Sequence, residues 1–300
     1  MPRSARRRCA TEQRNPRSKG LDRLSTRAIL QLMNREDAQV IRAIRREIPE
    51  LTRAGDAIVD ALRSGGRLFY VGAGTSARLA VLDAVECPPT FGTPRRLIQP
   101  LMAGGSRALT AALESAEDSA AQGARDLAAK HISWRDIVVG ITASGATPYV
   151  LGALRYARRK GAATVGITSC PGSPLERVAR ISVALDAGPE VLTGSTRLKA
   201  GTAQKMALNM LSTAALVRLG HVYDNWMIDL ALTNRKLRER GLRILSQAAG
   251  KPLAAARHAL RQSGHNLRVA LVMLKRNVDA QRARALLRNA QGNLRRALNE

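Results

Sequence analysis

"RLFYVGAGTSARLAVLDAVECPPTFG" (67–92) decides the architecture. It opens on an apolar run, passes through a turn of small residues, "GAGTSA" (72–77), and continues with apolar positions at helical spacing. A strand leading through such a turn into a helix is the unit from which parallel sheets are built. Outward from it, strand-like runs recur at "RRLIQPLM" (95–102), "DIVVGIT" (136–142), "ATVGIT" (163–168) and "RISVALD" (180–186), with helical segments between them. Runs that are apolar on both faces read as strands covered on both sides. The expected class is α/β, a parallel five-stranded sheet flanked by helices.

Helical spacing runs over 25–63 and stops at "SGG" (64–66). Pro88 and Pro89 are expected to end the helix after the first strand. An Ala-rich helix is expected from about Arg107 to Lys130, and another over 195–220. Beyond 235 the pattern is all helical, broken at Gly250-Lys251-Pro252, at Ser263-Gly264, and near Asn277 and Gly292. Such short helices need one another to be stable. Residues 1–20 are Arg-rich, contain two prolines, and read as a mobile or extended arm.

With 300 residues, 45% of them hydrophobic, the chain can bury a sizeable core. The net charge of +26 sits mainly at the ends, +7 over 1–50 and +13 over 235–300, leaving +6 between. Aromatics make up only 3%, which argues against base-stacking platforms. The basic excess reads as a solvated surface, and no nucleic acid is expected as a partner. Three cysteines without a CxxC pair and four scattered histidines suggest neither a disulfide framework nor a metal site. No apolar run follows the N-terminal arginines and no stretch is long enough for a bilayer, so the expected compartment is the cytoplasm, with no membrane partner.

Two turns share a composition: "GAGTSA" and "TASGAT" (142–147). Each sets small residues and hydroxyls at the start of a helix, where unpaired amides and a positive dipole favour an anion. Ordinary capping by Ser and Thr would explain either turn alone; the pair points to a phosphate. "GAGTSA" also fits GxGxxA, but no acidic residue follows the second strand, which disfavours a nicotinamide cofactor. No cofactor is expected.

"GAGTSARLAVLDAVECPPTFG", "ITASGATPYVLGALRYA" and "EVLTGSTRLKAGTAQKMALNMLSTA" resemble the N-acetylmuramic acid 6-phosphate etherases, as do "TEQRNPRSKGLDRLS" and "MIDLALTNRKLRERGLRIL". The resemblance spans about Thr11 to Leu298. It implies an N-terminal arm and helix over 1–56, a sugar isomerase (SIS, flavodoxin-like) domain over 57–221, and a C-terminal helical region over 222–300 with a bundle like a ubiquitin-associated (UBA) domain. It further implies a homodimer, no metal, and a lyase acting on a phosphorylated amino sugar. That lyase cleaves the D-lactyl ether to give N-acetylglucosamine 6-phosphate and D-lactate.

By the same resemblance Glu86 and Glu117 are the catalytic pair. Glu86, read at the C-terminal end of a helix where the dipole disfavours ionisation, is assigned as the acid. Glu117 is assigned as the base at sugar C2, with the reverse division as the alternative. Glu114, one turn earlier, is expected on the same side as Glu117, each raising the other's pKa. The phosphate is expected on Thr75, Ser76, Ser144, Gly145 and Thr147, with Ser195 and Thr196 nearby and Lys199 neutralising phosphate or enolate charge. The chain departs from the family pattern at Ala77, Ala80, Val85, Ala146 (an arginine in the family) and Cys170. The competing readings are a non-catalytic phosphosugar-sensing regulator and a phosphosugar isomerase of the same fold.

Overall fold

A computed structural model describes residues 9–111 and 113–299, the Glu114 side chain excepted. The first eight residues of the expected arm lie outside this range. The chain divides into two compact units, one formed within Met1–Ala84 and Arg96–Thr213, the other within Val85–Arg95 and Ala214–Glu300.

The first unit begins with short 3₁₀ turns and two helices, α1 (Thr26–Arg46) and α2 (Ile48–Arg63). The helical pattern of 25–63 is therefore two helices, divided at Glu47, with a proline in the first turn of α2. The "SGG" stop holds: Ser64 is the C-cap, Gly65 has φ +76°, and a Cβ on Gly66 would stand 1.9 Å from the Arg135 carbonyl.

Five parallel strands follow, β1 (Leu68–Gly72), β2 (Ile98–Met102), β3 (Ile137–Ile141), β4 (Ala163–Thr168) and β5 (Ile181–Ala184), in the order β2-β1-β3-β4-β5. β1 and β3 are buried throughout, as expected for strands covered on both faces. The connecting helices are α3 (Gly74–Phe91), α4 (Ala120–Ala128), α5 (Pro148–Arg159) and α6 (Pro174–Val178), and α7 (Lys199–Arg218) follows β5. Buried Asp83 on α3 accepts from Tyr70 Oη (3.0 Å) on β1 and from Asn209 Nδ2 (2.7 Å) and Ser212 Oγ (3.0 Å) on α7, tying three elements at one carboxylate.

Two expectations about helices change. Pro88 and Pro89 lie inside α3, which runs on to Phe91 and stops at Gly92, φ +63°. A proline removes one backbone donor, but the last turn still closes through Gly92 N–H on the Pro88 carbonyl. The long helix from Arg107 to Lys130 is instead two 3₁₀ turns, Gly105–Leu109 and Glu114–Asp118, and then α4. Gly104 and Gly105 take left-handed conformations, and Ser119 caps α4 by accepting from Gln122 N–H at 3.1 Å, so the helix starts only there.

The second unit contains α8 (Arg235–Ala249), α9 (Leu253–Gln262), α10 (Leu267–Arg276), α11 (Ala280–Asn289) and α12 (Leu294–Leu298). The breaks fall where the sequence places them, with Gly250 and Asn277 left-handed behind α8 and α10. One apolar core joins the bundle, including Leu245, Ala270, Leu271 and Val272. Among the described residues no helix is long and apolar enough to cross a membrane.

Back in the first unit, a buried charge cluster fixes the N-terminal segment. Lys199 and Glu36 are 1% and 2% exposed and pair at 2.9 Å. Glu36 also accepts from Arg17 and from Asn15 Nδ2 (2.7 Å). Arg17, with help from Lys199 and Asn15, holds the Glu36 carboxyl at about 2 against an ordinary 4.5, although burial works the other way. A depressed carboxylate contributes stability that is complete above about 4.5 and fades as pH falls towards 2. Glu36→Gln is expected to destabilise the protein by about 3 kcal/mol at pH 7, because it strands a buried ammonium. The gap from wild type should shrink between pH 5 and 2, as urea unfolding at stepped pH would show.

Candidate active site

In a sheet ordered β2-β1-β3-β4-β5, chain connections leave β1 and β3 in opposite directions. The crevice beyond their C-terminal ends is where such folds bind ligands. A cavity of about 370 Å³ opens there. Thr75 and Ser76 from the β1–α3 turn, and Ser144 and Thr147 from the β3–α5 turn, share its wall with Thr196 and Glu117. Side chains distant in sequence thus come together as an anion cradle facing a carboxylate.

The two turns are built differently. α3 begins at Gly74, φ +52°, and its first backbone bond runs from Ala77 N–H to the Ala73 carbonyl at 3.3 Å. In the second turn Thr147 occupies the N-cap of α5 but makes no side-chain cap; its hydroxyl pairs with Thr142 Oγ1 at 2.8 Å. Ser144 Oγ lies 3.3 Å from Thr142 Oγ1 and accepts from Ala146 N–H at 3.2 Å. Plain capping therefore does not account for Thr147. Gly145 has φ +65°, and a Cβ there would come within 2.0 Å of Ser173 Oγ and 2.7 Å of Thr168 Oγ1. Only glycine fits.

Gly145, Ser195, Lys199 and Glu86 are not among the residues lining this cavity. Gly145 shapes the turn through its backbone. Lys199, expected to meet phosphate or enolate, is buried against Glu36 instead. The α7 N-terminus is likewise occupied: the amides of Lys199 and Ala200 donate to Glu190 at 3.0 and 2.9 Å. Burial pushes the Glu190 carboxyl up, against the pull of those amides. The partner of Lys199 lies 163 residues away and leaves no local signal, so a lysine at a helix start reads as exposed until the fold is known.

Glu86 is exposed, ten residues beyond Ser76 on α3, almost three helical turns. Because α3 continues to Phe91, Glu86 is not in its last turn, and the dipole argument for keeping it protonated does not apply. Leu82, 49% exposed, shares its face one turn earlier, and Val85, 54% exposed, adjoins it. Glu117 rides on the 3₁₀ turn over the cavity. Its expected pairing with the Glu114 side chain lies outside the described residues.

Sequence reading missed the two other charged residues of the cavity wall, Glu12 and Arg78. Arg78 donates to the carbonyls of Ala108 (2.8 Å), Leu109 (3.0 Å) and Ala111 (2.9 Å), fastening the segment that leads to Glu117. Its place two residues after Ser76 was the available signal. At the site of another family departure, burial and the neighbouring Cys9 thiol push Cys170 up to about 12.

The sheet order and the cradle define a SIS-domain protein, a class that binds phosphorylated sugars. Two family models agree: the SIS domain over residues 115–214, and the glucokinase regulatory protein N-terminal SIS domain over 50–158. The fold is shared with a phosphoheptose isomerase from Francisella tularensis (TM-score 0.52, 18% identity, 64% of this chain and 98% of that one). The N-acetylmuramic acid 6-phosphate etherases of Yersinia pestis (strain Pestoides F) and Yersinia pseudotuberculosis serotype O:1b (strain IP 31758) are each 52% identical over 288 residues, 96% of this chain and 98% of theirs. The chain belongs to the N-acetylmuramic acid 6-phosphate etherase family.

Gly145→Ala is expected to cost roughly 2 kcal/mol from left-handed strain, more with the Ser173 clash. It should also abolish thermal protection by inorganic phosphate, checked by melting with and without that anion.

Proposed function

We infer that this chain is a carbon–oxygen lyase that removes the D-lactyl ether of N-acetylmuramic acid 6-phosphate, giving N-acetylglucosamine 6-phosphate and D-lactate. The reading is carried by a cavity in which two hydroxyl-lined turns meet Glu117, in a chain 52% identical over nearly its whole length to proteins named for that reaction. The phosphate sits at the turns, on Thr75, Ser76, Ser144 and Thr147, with Thr196 beside them, while Gly145 shapes the second turn and Ser195 stands next to Thr196 outside the cavity lining. A substrate already carrying phosphate places the enzyme in the cytoplasm.

The ether bond is hard to break directly and easy to lose by elimination. In the open-chain aldehyde the proton on C2 is acidic, because its loss gives an enolate. Glu117 takes that proton, the electron pair forms the C2=C3 bond, and the C3–O bond breaks. An acid protonates the departing lactate oxygen. Water then adds at C3 while a proton returns to C2, restoring the aldehyde.

Glu86 is the acid in this scheme, brought to the cavity by a second copy of the chain. Its exposure within one chain, next to exposed Leu82 and Val85, supports an interface role for that face. Lys199 acts through Glu36, as a positioning residue.

Purified protein given N-acetylmuramic acid 6-phosphate should release D-lactate, followed with a lactate dehydrogenase specific for the D form. Glu86→Gln and Glu117→Gln should each lower kcat by at least about a hundredfold. Mixing and refolding the two variants together should restore up to a quarter of wild-type activity, since half the dimers carry one intact composite site. No restoration would place both carboxylates in one chain.

A further inference from the structure

The second carboxylate of the cavity belongs to no catalytic role proposed above. Glu12 comes from the segment before α1, in a 3₁₀ turn, Ala10–Glu12, and its side chain lines the cavity beside Gly194 and Thr196. A Cβ on Gly194 would stand 4.0 Å from Glu12 Oε2.

This short segment is pinned on both sides of Glu12. Before it, buried Thr11 accepts from Gly194 N–H at 3.2 Å through its carbonyl. After it, buried Asn15 donates to the Pro189 carbonyl at 3.1 Å and to Glu36 at 2.7 Å, and Arg17 grips the same Glu36. Glu36 is itself held by the ammonium of Lys199 at 2.9 Å. Burying that pair is costly, and what it secures here is a strap of a few residues whose exposed carboxylate enters the phosphate cavity.

We infer that Glu12 is a substrate-binding residue whose carboxylate accepts hydrogen bonds from neutral donors of the sugar, hydroxyl or acetamido N–H, and so recognises the sugar body while the turns hold its phosphate. An ionised carboxylate can only accept, and it repels other anions. It therefore selects the hydroxyl and amide edge of the sugar and turns the lactyl carboxylate away from the strap. The inference deepens the lyase reading and rests on it for the identity of the sugar; recognition of a phosphosugar's hydroxyls does not depend on turnover.

Calorimetric titration of wild type, Glu12→Gln and Glu12→Ala with N-acetylglucosamine 6-phosphate and, separately, inorganic phosphate tests it. Glu12→Ala should weaken the sugar phosphate tenfold or more, Glu12→Gln less because one acceptor oxygen remains, and neither should change inorganic phosphate. With N-acetylmuramic acid 6-phosphate the same variants should raise KM with kcat within about threefold, the pattern of a binding contact. Unchanged sugar-phosphate affinity would overturn the inference. So would equal loss of both ligands, which marks a displaced strap, or a hundredfold fall in kcat at constant KM, which marks proton transfer. Failure of the wild type to release D-lactate would sink the lyase reading while the binding comparison still judges Glu12.

Discussion

Everything in the first unit follows from one topological constraint: β1 and β3 are neighbours, yet the chain leaves them in opposite directions. Two helices then begin next to the same crevice, α3 after β1 and α5 after β3, and residues from both starts line one cavity. A parallel sheet buried on both faces holds those helix starts rigidly, because β1 and β3 can shift only by breaking ladders on both sides. The anion cradle is thus a consequence of connectivity before it is a consequence of any side chain.

Onto that cradle the chain adds pieces that the sheet alone would not hold. Arg78, on α3, donates to the carbonyls of Ala108, Leu109 and Ala111 and sets the loop that carries Glu117. The buried Glu36–Lys199 pair, with Asn15 and Arg17, sets the strap that carries Glu12. In both cases a charge is spent on positioning rather than on chemistry. The group that faces the cavity is in both cases an exposed carboxylate on a short 3₁₀ turn.

The family departures read differently against this geometry. Ala77 and Ala80, expected from the resemblance to stand at glycine positions, are buried on α3, 1% exposed each, and their methyl groups are accommodated there. A Cβ on facing Gly72 would meet Ala77 at 3.0 Å, so the tight approach of strand and helix is kept from the strand side. Ala146 is exposed at the second turn and leaves an arginine's place open to solvent. Arg78 is the cation in the cavity wall among the described residues, and its guanidinium is engaged with backbone carbonyls. The cavity wall accordingly offers hydroxyls more than unpaired positive charge.

By itself the sequence determined the five strands, their parallel sense, the two hydroxyl turns and the breaks of the C-terminal helices. Those features are local: period, glycine and proline placement, and capping residues act over a few positions. Local signals erred where tertiary packing overruled propensity, in the Ala-rich stretch that became two 3₁₀ turns and in the prolines absorbed by α3. Only the tertiary structure decided that Lys199 faces Glu36, 163 residues away, and that Glu12 reaches the cavity beside Gly194. Such meetings depend on how the whole chain closes, and no periodicity within a segment encodes the partner at the far end of it.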